Sequence, residues 1–299
     1  MKVIDSHNLT KNFLRTQVLD HLTFSIEENK ITGLIGRNGA GKTTLLKLIA
    51  GLIRPSAGDI QVFSENPFNN LNISLNSVFI DDQMSFPPAL QLSDILKEAA
   101  RFYPNWDDPL AKRLFDYFSL DSKGYHHRLS KGKISTFNSI LGIASRCPLT
   151  IFDEPTTGMD EGVRKDFYRA LLKDYISHPR TILISSHHLD EIEELLEDIL
   201  FLHEGKKLLQ VQASSLKEYA IGIKGPKETI QKVTAGNETL FKKTSGMNTI
   251  YAVVKNSSGT LVQEAQNAGL EVLPVRSSDL FVYLTSKTKG GIDDVFTES

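Results

Sequence analysis

A glycine-rich loop between a short apolar segment and a helix constrains this chain more than any other feature. The segment Ile31–Ile35 leads directly into Gly36-Arg37-Asn38-Gly39-Ala40-Gly41-Lys42-Thr43, and an apolar helical periodicity follows. Glycines allow backbone N–H groups to converge on phosphate oxygens, and a helix N-terminus adds partial positive charge. The pattern therefore predicts a phosphate-binding loop in the required strand–loop–helix context. A glycine-rich turn without a ligand is the alternative, which this context disfavours.

The loop residues have distinct expected roles. We expect Lys42 to reach the terminal phosphates of a bound nucleotide. The Thr43 hydroxyl is placed to ligate Mg²⁺, an ion that usually takes only one or two ligands from a protein. The residues predicted to contact the nucleotide here are Gly36, Asn38, Gly39, Ala40, Gly41, Lys42, Thr43 and Thr44.

A second candidate element is an apolar strand that ends in two acids. Leu149–Phe152 is followed by Asp153 and Glu154. Such a pair is suited to hold Mg²⁺ through Asp153 and to polarise an attacking water through Glu154. Acids also end strands for solubility, which is the alternative here. The presence of the phosphate-binding loop favours the catalytic interpretation.

Composition limits the class of protein. The 299 residues, 40% of them hydrophobic, suffice for about two domains. The net charge of −2 indicates neither a nucleic-acid-coating protein nor a polybasic membrane-surface protein, so we expect no nucleic-acid partner. A single cysteine, Cys147, excludes an internal disulfide framework. Because the N-terminal residues lack an apolar export segment and no apolar run approaches the ~20 residues of a membrane span, we expect a cytoplasmic protein.

Apolar strand segments alternate with amphipathic helical segments, which predicts a mostly parallel α/β sheet. The predicted strands are Val18–Ile26, Ile31–Ile35, Leu149–Phe152 and Thr181–Ser185, and the predicted helices are Lys42–Ala50, Glu161–Tyr175 and Leu189–Leu196. We predict a nucleotide-binding domain over residues 1–211, with a helical subdomain at about 86–146. A small C-terminal α/β accessory domain is predicted over residues 212–299, where a helix separates two strands.

The order of the motifs resembles the ATP-binding-cassette (ABC) family over about residues 1–210. After the loop and the helical insertion come Leu129-Ser130-Lys131-Gly132-Lys133, Asp153-Glu154, Thr157-Gly158-Met159-Asp160 and His187. The signature sequence of the family is LSGGQ. Ser130 and Gly132 match it, whereas Lys131 and Lys133 do not. The resemblance implies an α/β P-loop NTPase fold with a RecA-like core, an N-terminal antiparallel β-subdomain and a helical subdomain.

The resemblance also implies cofactors and partners. ATP and Mg²⁺ are the expected cofactors, and a second cassette, identical or related, is expected to form a head-to-tail dimer. In that dimer Ser130 and Gly132 meet the γ-phosphate held by the other subunit, and Lys131 adds positive charge near it. The alternative for Ser130 is a helix N-cap alone. An integral membrane permease is the other expected partner.

Further positions are carried over from the family. Phe13 matches the aromatic residue that stacks on adenine, although an isolated aromatic could also be a core residue. Gln83 matches the glutamine that contacts Mg²⁺ and senses the transmembrane partner, with Asp81 or Asp82 as alternatives.

Two more positions complete the predicted site. His187 matches the histidine that contacts the γ-phosphate and helps to orient the water, and with Glu154 it forms the predicted catalytic pair. His188, its neighbour, is expected at the surface or at a helix start. Asp160 is carried over as a further nucleotide contact.

These features predict the ATP-hydrolysing subunit of an ABC transporter on the inner face of the cell membrane. The signature and the C-terminal region resemble most the bacitracin-resistance and Ytr-type group, which includes exporters of phenol-soluble modulins, so export of peptides or antimicrobials is expected. The alternative is a soluble cassette that acts on ribosomes or DNA. A single phosphate-binding loop and a compact insertion favour the transporter subunit.

Overall fold

The computed structural model describes residues 1–244, 248–256 and 259–286. The chain divides into two compact units, Met1–Gln210 and Val211–Ser299. Among the described residues, no helix combines the length and the apolar character needed to cross a membrane.

The first part of the chain contains both strands and helices. The strands are β1 (Lys2–Phe13), β2 (Thr16–Glu27), β3 (Ile31–Ile35), β4 (Ala57–Val62), β5 (Ser77–Ile80), β6 (Leu149–Asp153), β7 (Thr181–Ser186), β8 (Asp198–His203) and β9 (Lys206–Gln212). The helices are α1 (Lys42–Ile49), α2 (Leu71–Asn76), α3 (Leu92–Phe102), α4 (Asp108–Tyr117), α5 (Lys131–Ser145), α6 (Glu161–Ser177) and α7 (Leu189–Ile192).

A six-stranded sheet in the order β5-β6-β7-β3-β8-β9 positions the candidate site. The pairs β5–β6, β6–β7, β7–β3 and β3–β8 are parallel. Every residue of β3, β6 and β7 is buried, as expected for a parallel sheet that is covered on both faces. Because parallel strands end at one edge, the loops after β3, β6 and β7 meet there. The predicted α/β sheet is confirmed.

The N-terminal subdomain is a three-stranded antiparallel sheet in the order β2-β1-β4. Its apolar face shares one core with α1 and the parallel sheet, through residues such as Ile4, Leu9, Leu45 and Leu183. Between β5 and β6 the chain forms α3, α4 and α5. The predicted antiparallel subdomain and helical insertion are therefore present. Helix α7 is shorter than predicted because Glu193–Leu195 forms a 3₁₀ turn.

Among the described residues of the second unit, four strands and two helices follow the chain order β-α-β-β-α-β, with one further helix before them and one after them. Its elements are α8 (Ala213–Leu216), β10 (Ala220–Pro226), α9 (Lys227–Val233), β11 (Thr239–Thr244), β12 (Thr249–Lys255), α10 (Leu261–Asn267), β13 (Glu271–Pro274) and α11 (Ser277–Thr285). The antiparallel strand order is β11-β12-β10-β13. Ile230 of α9 and Ala265 of α10 pack with strand residues in one core. This is a ferredoxin-like arrangement, and it confirms the predicted small α/β fold.

A buried network of two arginines and two aspartates joins the helical subdomain to the parallel sheet. Arg146, which follows α5, contacts Asp107 at 2.8 Å and Asp174 of α6 at 2.7 Å. Arg180, just before β7, contacts the other oxygen of Asp174 at 2.8 Å. The side chains of Arg180 and Asp174 are almost wholly buried. The charges balance, so neither guanidinium is left without a counterion.

We expect Asp174→Ala to destabilise the protein strongly, because it leaves two guanidinium groups short of a buried counterion. The free energy of unfolding should fall by about 3 kcal/mol or more, measured by urea unfolding with circular dichroism. Glu161→Ala is the matched control. It removes an acid from the same helix whose pair with Lys165 is exposed, and it should change the urea midpoint little. Equal midpoints for the two variants would contradict a stabilising role of the network.

Candidate functional site

The loop after β3 has a backbone that side chains would disrupt. A Cβ atom at Gly36 would lie 2.7 Å from the carbonyl oxygen of Leu202. Gly41 has φ +100° and precedes α1, and a Cβ atom there would lie 2.7 Å from Leu19 Cδ2. The first intrahelical hydrogen bond joins Leu45 N–H to Gly41 O. The N–H groups of the first helical turn are therefore available to an anion.

A cleft of about 540 Å³ lies over this loop. It is lined by Val18, Asn38, Gly39, Ala40, Gly41, Lys42, Thr43, Thr44, Asp82, Asp153, Glu154 and Thr157. The structure thus brings the predicted loop residues together with the two predicted carboxylates, although β3 and β6 lie more than a hundred residues apart in the chain. Gly36 is outside this lining, and its carbonyl oxygen accepts a hydrogen bond from Lys42.

Lys42 is held between the two strand ends. Its side chain is only 6% exposed. The ammonium Nζ lies 2.7 Å from Gly36 O and 3.1 Å from Glu154 Oε1. A buried ammonium needs such acceptors because its desolvation is costly. The position of Lys42 is therefore fixed by both the loop and the carboxylate.

Ser185 positions the two carboxylates, and sequence reasoning missed it. Its hydroxyl donates to Asp153 Oδ1 at 2.6 Å and accepts from the N–H of Glu154 at 2.9 Å. Asp153 and Ser185 are register partners of β6 and β7. Glu154 has φ +48°, in the left-handed region that a non-glycine residue rarely adopts. The sequence does show two serines at the end of an apolar strand. It does not show the register in which this strand pairs with β6, and that register is what places Ser185 beside Asp153.

His187 lies against the second oxygen of Glu154. The His187 Nδ1–Glu154 Oε2 distance is 2.6 Å. Because an ionised carboxylate only accepts, the Nδ1–H group of His187 is the donor. Glu154 is therefore placed between the Lys42 ammonium and the His187 imidazole. His188 is exposed at the residue before α7, and its ring is close to that of His187.

The loop after β5 places Asp82 in the cleft. Among the described residues that line the cleft, Asp82 is present and Gln83 is not. Gln83 is exposed, and its N–H donates to Asp81 Oδ1 at 3.2 Å. Burial raises the pKa of the Asp81 carboxyl above its usual value. Of the three alternatives at this position, the structure brings Asp82 to the other site residues.

Besides Gly36 and Gln83, four further predicted nucleotide contacts lie outside the described cleft lining. The Ser130 hydroxyl caps α5 by accepting from the N–H of Lys133, and the Asp160 carboxylate caps α6 by accepting from that of Val163. Gly132 packs closely on Gly158, where an added Cβ atom would lie 2.3 Å from the Gly158 carbonyl oxygen. Phe13, at the end of β1, is 46% exposed, with the Lys11 ammonium 4.9 Å from its ring centre.

Oxygen donors for a divalent cation converge in the cleft. The Thr43 hydroxyl and the Asp153 carboxylate both line it, and hard cations such as Mg²⁺ prefer such ligands. Mg²⁺ typically adds water and substrate phosphates to one or two protein ligands. The residues present fit that pattern. Val18 and Thr157 also line the cleft, and they carried no role in the sequence analysis.

Comparison with known proteins shows which family this chain resembles. Residues 19–157 match the family model described as "ABC transporter". The ABC transporter ATP-binding protein YtrB of Bacillus subtilis is 31% identical over 74% of this chain and 76% of its own. The bacitracin transport ATP-binding protein BcrA of Bacillus licheniformis is 34% identical over 72% of each chain.

The fold is shared with solved cassettes. A dimeric ATP-binding cassette in a post-hydrolysis state, bound to ADP and Pi, superposes with a TM-score of 0.62. It is 18% identical and covers 70% of this chain and 98% of its own. The phosphate-binding loop, the paired carboxylates, the shared architecture and the similarity to YtrB and BcrA together lead to one identification. The chain belongs to the ATP-binding proteins of ABC transporters and is an ATPase of that family.

Proposed function

We propose that this chain hydrolyses ATP in the cleft above α1 and thereby powers a separate membrane permease. The position of Glu154 carries the proposal, because its two carboxylate oxygens contact Lys42 on one side and His187 on the other. A base held at the edge of a phosphate-binding cleft is suited to accept a proton from an attacking water. The proposed catalytic residues are Glu154 and His187.

The proposed steps follow from these contacts. The backbone N–H groups of the loop and the Lys42 ammonium bind the phosphates, and the terminal phosphate competes with Glu154 for Lys42. Glu154 Oε1 is then free to accept a proton from water, while His187 holds Oε2 and orients the carboxylate. The positively charged ammonium stabilises the charge of the transferring phosphoryl group.

Mg²⁺ would be held by Thr43 and Asp153, and when bound it neutralises charge on the phosphate oxygens. Ser185 keeps Asp153 oriented by donating a hydrogen bond to it. Gln83 as a third ligand remains a prediction, as do adenine stacking on Phe13 and the nucleotide contact of Asp160. The exposed ring of Phe13 is available for stacking.

A second cassette is part of the proposal. Ser130 and Gly132 lie outside the described lining of their own cleft, which is compatible with contact to a nucleotide held by another chain. The partially positive N-terminus of α5 suits such a contact. The proposed assembly is a head-to-tail dimer, as the family resemblance implies.

The proposed transported class is peptides or antimicrobials, and the proposed location is the inner face of the cell membrane. BcrA is described as a bacitracin transport protein, which supports this class. The relatives are transporter proteins, and this favours a permease partner over ribosomes or DNA. The proposed docking surface is the loop Met84–Ala89, which leads from the Asp82 edge of the cleft to the helical subdomain.

Binding and turnover should depend on different residues. Lys42→Ala should lose both MgADP affinity and phosphate release. Glu154→Gln should keep affinity and lose turnover by about 10²-fold or more, the usual contribution of a positioned general base. Calorimetry and phosphate release measure the two effects, with the exposed Glu161→Gln as the matched control. Equal phosphate release by Glu154→Gln and the unchanged protein would refute the assignment of the base.

Removal of the Ser185 hydroxyl should slow turnover without unfolding the chain. Ser185→Ala leaves Asp153 without a donor and the Glu154 N–H without an acceptor, so we expect kcat to fall about tenfold or more. Ser139→Ala is the control, since that buried hydroxyl has no hydrogen-bond partner within the described structure. Loss of turnover only in Ser185→Ala supports a role in orienting the carboxylates, whereas equal kcat values would exclude it.

Assembly should require ATP. Glu154→Gln with saturating Mg-ATP should form a dimer in light scattering, because ligand bound between subunits stabilises association by mass action. Ser130→Asp preserves the helix cap but adds negative charge, so in the Glu154→Gln background it should stay monomeric. Ser130→Thr should still dimerise. A monomeric Glu154→Gln protein would contradict a homodimer and favour a different partner cassette.

A further inference from the structure

Negative charge is in excess among the ionisable groups that line the cleft. Asp82, Asp153 and Glu154 face a single lining lysine, Lys42. Lys42 contacts Glu154, and the Ser185 hydroxyl donates to Asp153. A nucleotide polyphosphate is itself an anion, so a carboxylate without compensation at this edge opposes its binding.

Asp82 is compensated from outside the cleft by the first residue of α5. Lys131 Nζ lies 3.5 Å from Asp82 Oδ2. The Lys131 stem runs along the backbone of Gly158, where an added Cβ atom would lie 3.1 Å from Lys131 Cγ. Gly158 has φ +80°, so the chain there both favours glycine and leaves room for the lysine. The direction of the Lys131 side chain is therefore set by packing as well as by charge.

A second contact fixes the backbone of the same loop to the same helix. Asn138 Nδ2 donates to the carbonyl oxygen of Asp81 at 3.1 Å, and Asn138 is completely buried. Its Oδ1 is 2.9 Å from His126 Nε2. Residues 131 and 138 are seven apart and share one face of α5. The Asp81–Asp82 segment is thus held by α5 through a buried amide and an exposed ion pair.

We propose that Lys131 is a positioning residue for nucleotide binding within its own chain, acting by neutralising Asp82 at the edge of the cleft. This proposal rests on the proposed function, because it needs the nucleotide to occupy that cleft. It assigns to Lys131 a role distinct from contact with the nucleotide of a second cassette. It also gives a reason for a lysine at this position, where the family signature has glycine.

The test measures MgADP affinity by calorimetry in five variants of the full chain. Lys131→Ala should bind MgADP about 3- to 5-fold more weakly, the range expected for losing one exposed charge pair. Asp82→Asn should bind MgADP at least as tightly as the unchanged protein, because a repulsive charge is gone while the proposed Mg²⁺ ligands, Thr43 and Asp153, are intact. The double variant Lys131→Ala/Asp82→Asn should recover the affinity lost in Lys131→Ala. Such recovery is not expected if Lys131→Ala merely damages the fold.

Lys133→Ala is the matched control, since it removes another exposed lysine from the same helical turn. It should leave MgADP affinity within about twofold of the unchanged protein. The loss in Lys131→Ala should also shrink when NaCl is raised from about 0.05 M to about 0.5 M, because salt screens exposed charges.

The outcomes separate this inference from the proposed function. If Lys42→Ala loses MgADP binding while Lys131→Ala does not, the proposed function stands and the role of Lys131 is refuted. If the double variant stays as weak as Lys131→Ala, compensation of Asp82 is refuted. A loss seen with MgATP but not MgADP assigns Lys131 to the second cassette instead. If Lys42→Ala binds MgADP normally, the proposed function itself fails.

Discussion

A lysine ammonium buried between a carbonyl oxygen and a carboxylate holds the cleft in shape. Lys42 joins Gly36, which follows β3, to Glu154, which follows β6. An ammonium removed from water is stable only with acceptors in place, so the loop and the strand end cannot be arranged independently. The same ion pair involves the proposed base. A phosphate that engages Lys42 therefore changes the surroundings of Glu154, which links nucleotide binding to the state of the base.

Parallel pairing brings these groups to one edge, and local strain refines their positions. Asp153 pairs in register with Ser185, so the serine hydroxyl lies between the Asp153 carboxylate and the N–H of the next residue. Glu154 then turns into the left-handed region, a conformation that costs about 1–3 kcal/mol. The hydrogen bonds of its N–H to Ser185 and of its carbonyl oxygen to Thr157 offset that cost. This conformation belongs to the residue whose side chain contacts Lys42 of the phosphate-binding loop.

The sequence predicted the parts of the site that are contiguous and missed those that depend on pairing between distant segments. The phosphate-binding loop was predictable because glycine spacing and the following helix are local properties. Ser185 and Thr157 gain their roles from the register of β6 and β7 and from the turn after β6. Gln83 and Asp82 are neighbours in the chain, so the sequence left both open, and only the path of the loop after β5 places Asp82 in the cleft. Strand β5 itself was missed because its four residues carry little periodicity.

Ser130 can be both a helix cap and a contact for a nucleotide. Ser130 caps α5, which is the alternative role that we weighed against a nucleotide contact. A capped helix N-terminus still carries partial positive charge and can face an anion. The cap and the proposed contact with a second cassette are thus compatible uses of one helix end. Helix α5 also holds Asp81 and Asp82, through Asn138 and Lys131. A rotation of α5 that moves Ser130 toward another chain must therefore also move the Asp81–Asp82 segment or break its contacts with α5. Helix α5 thus couples the position of Ser130 to that of Asp82 at the edge of the cleft.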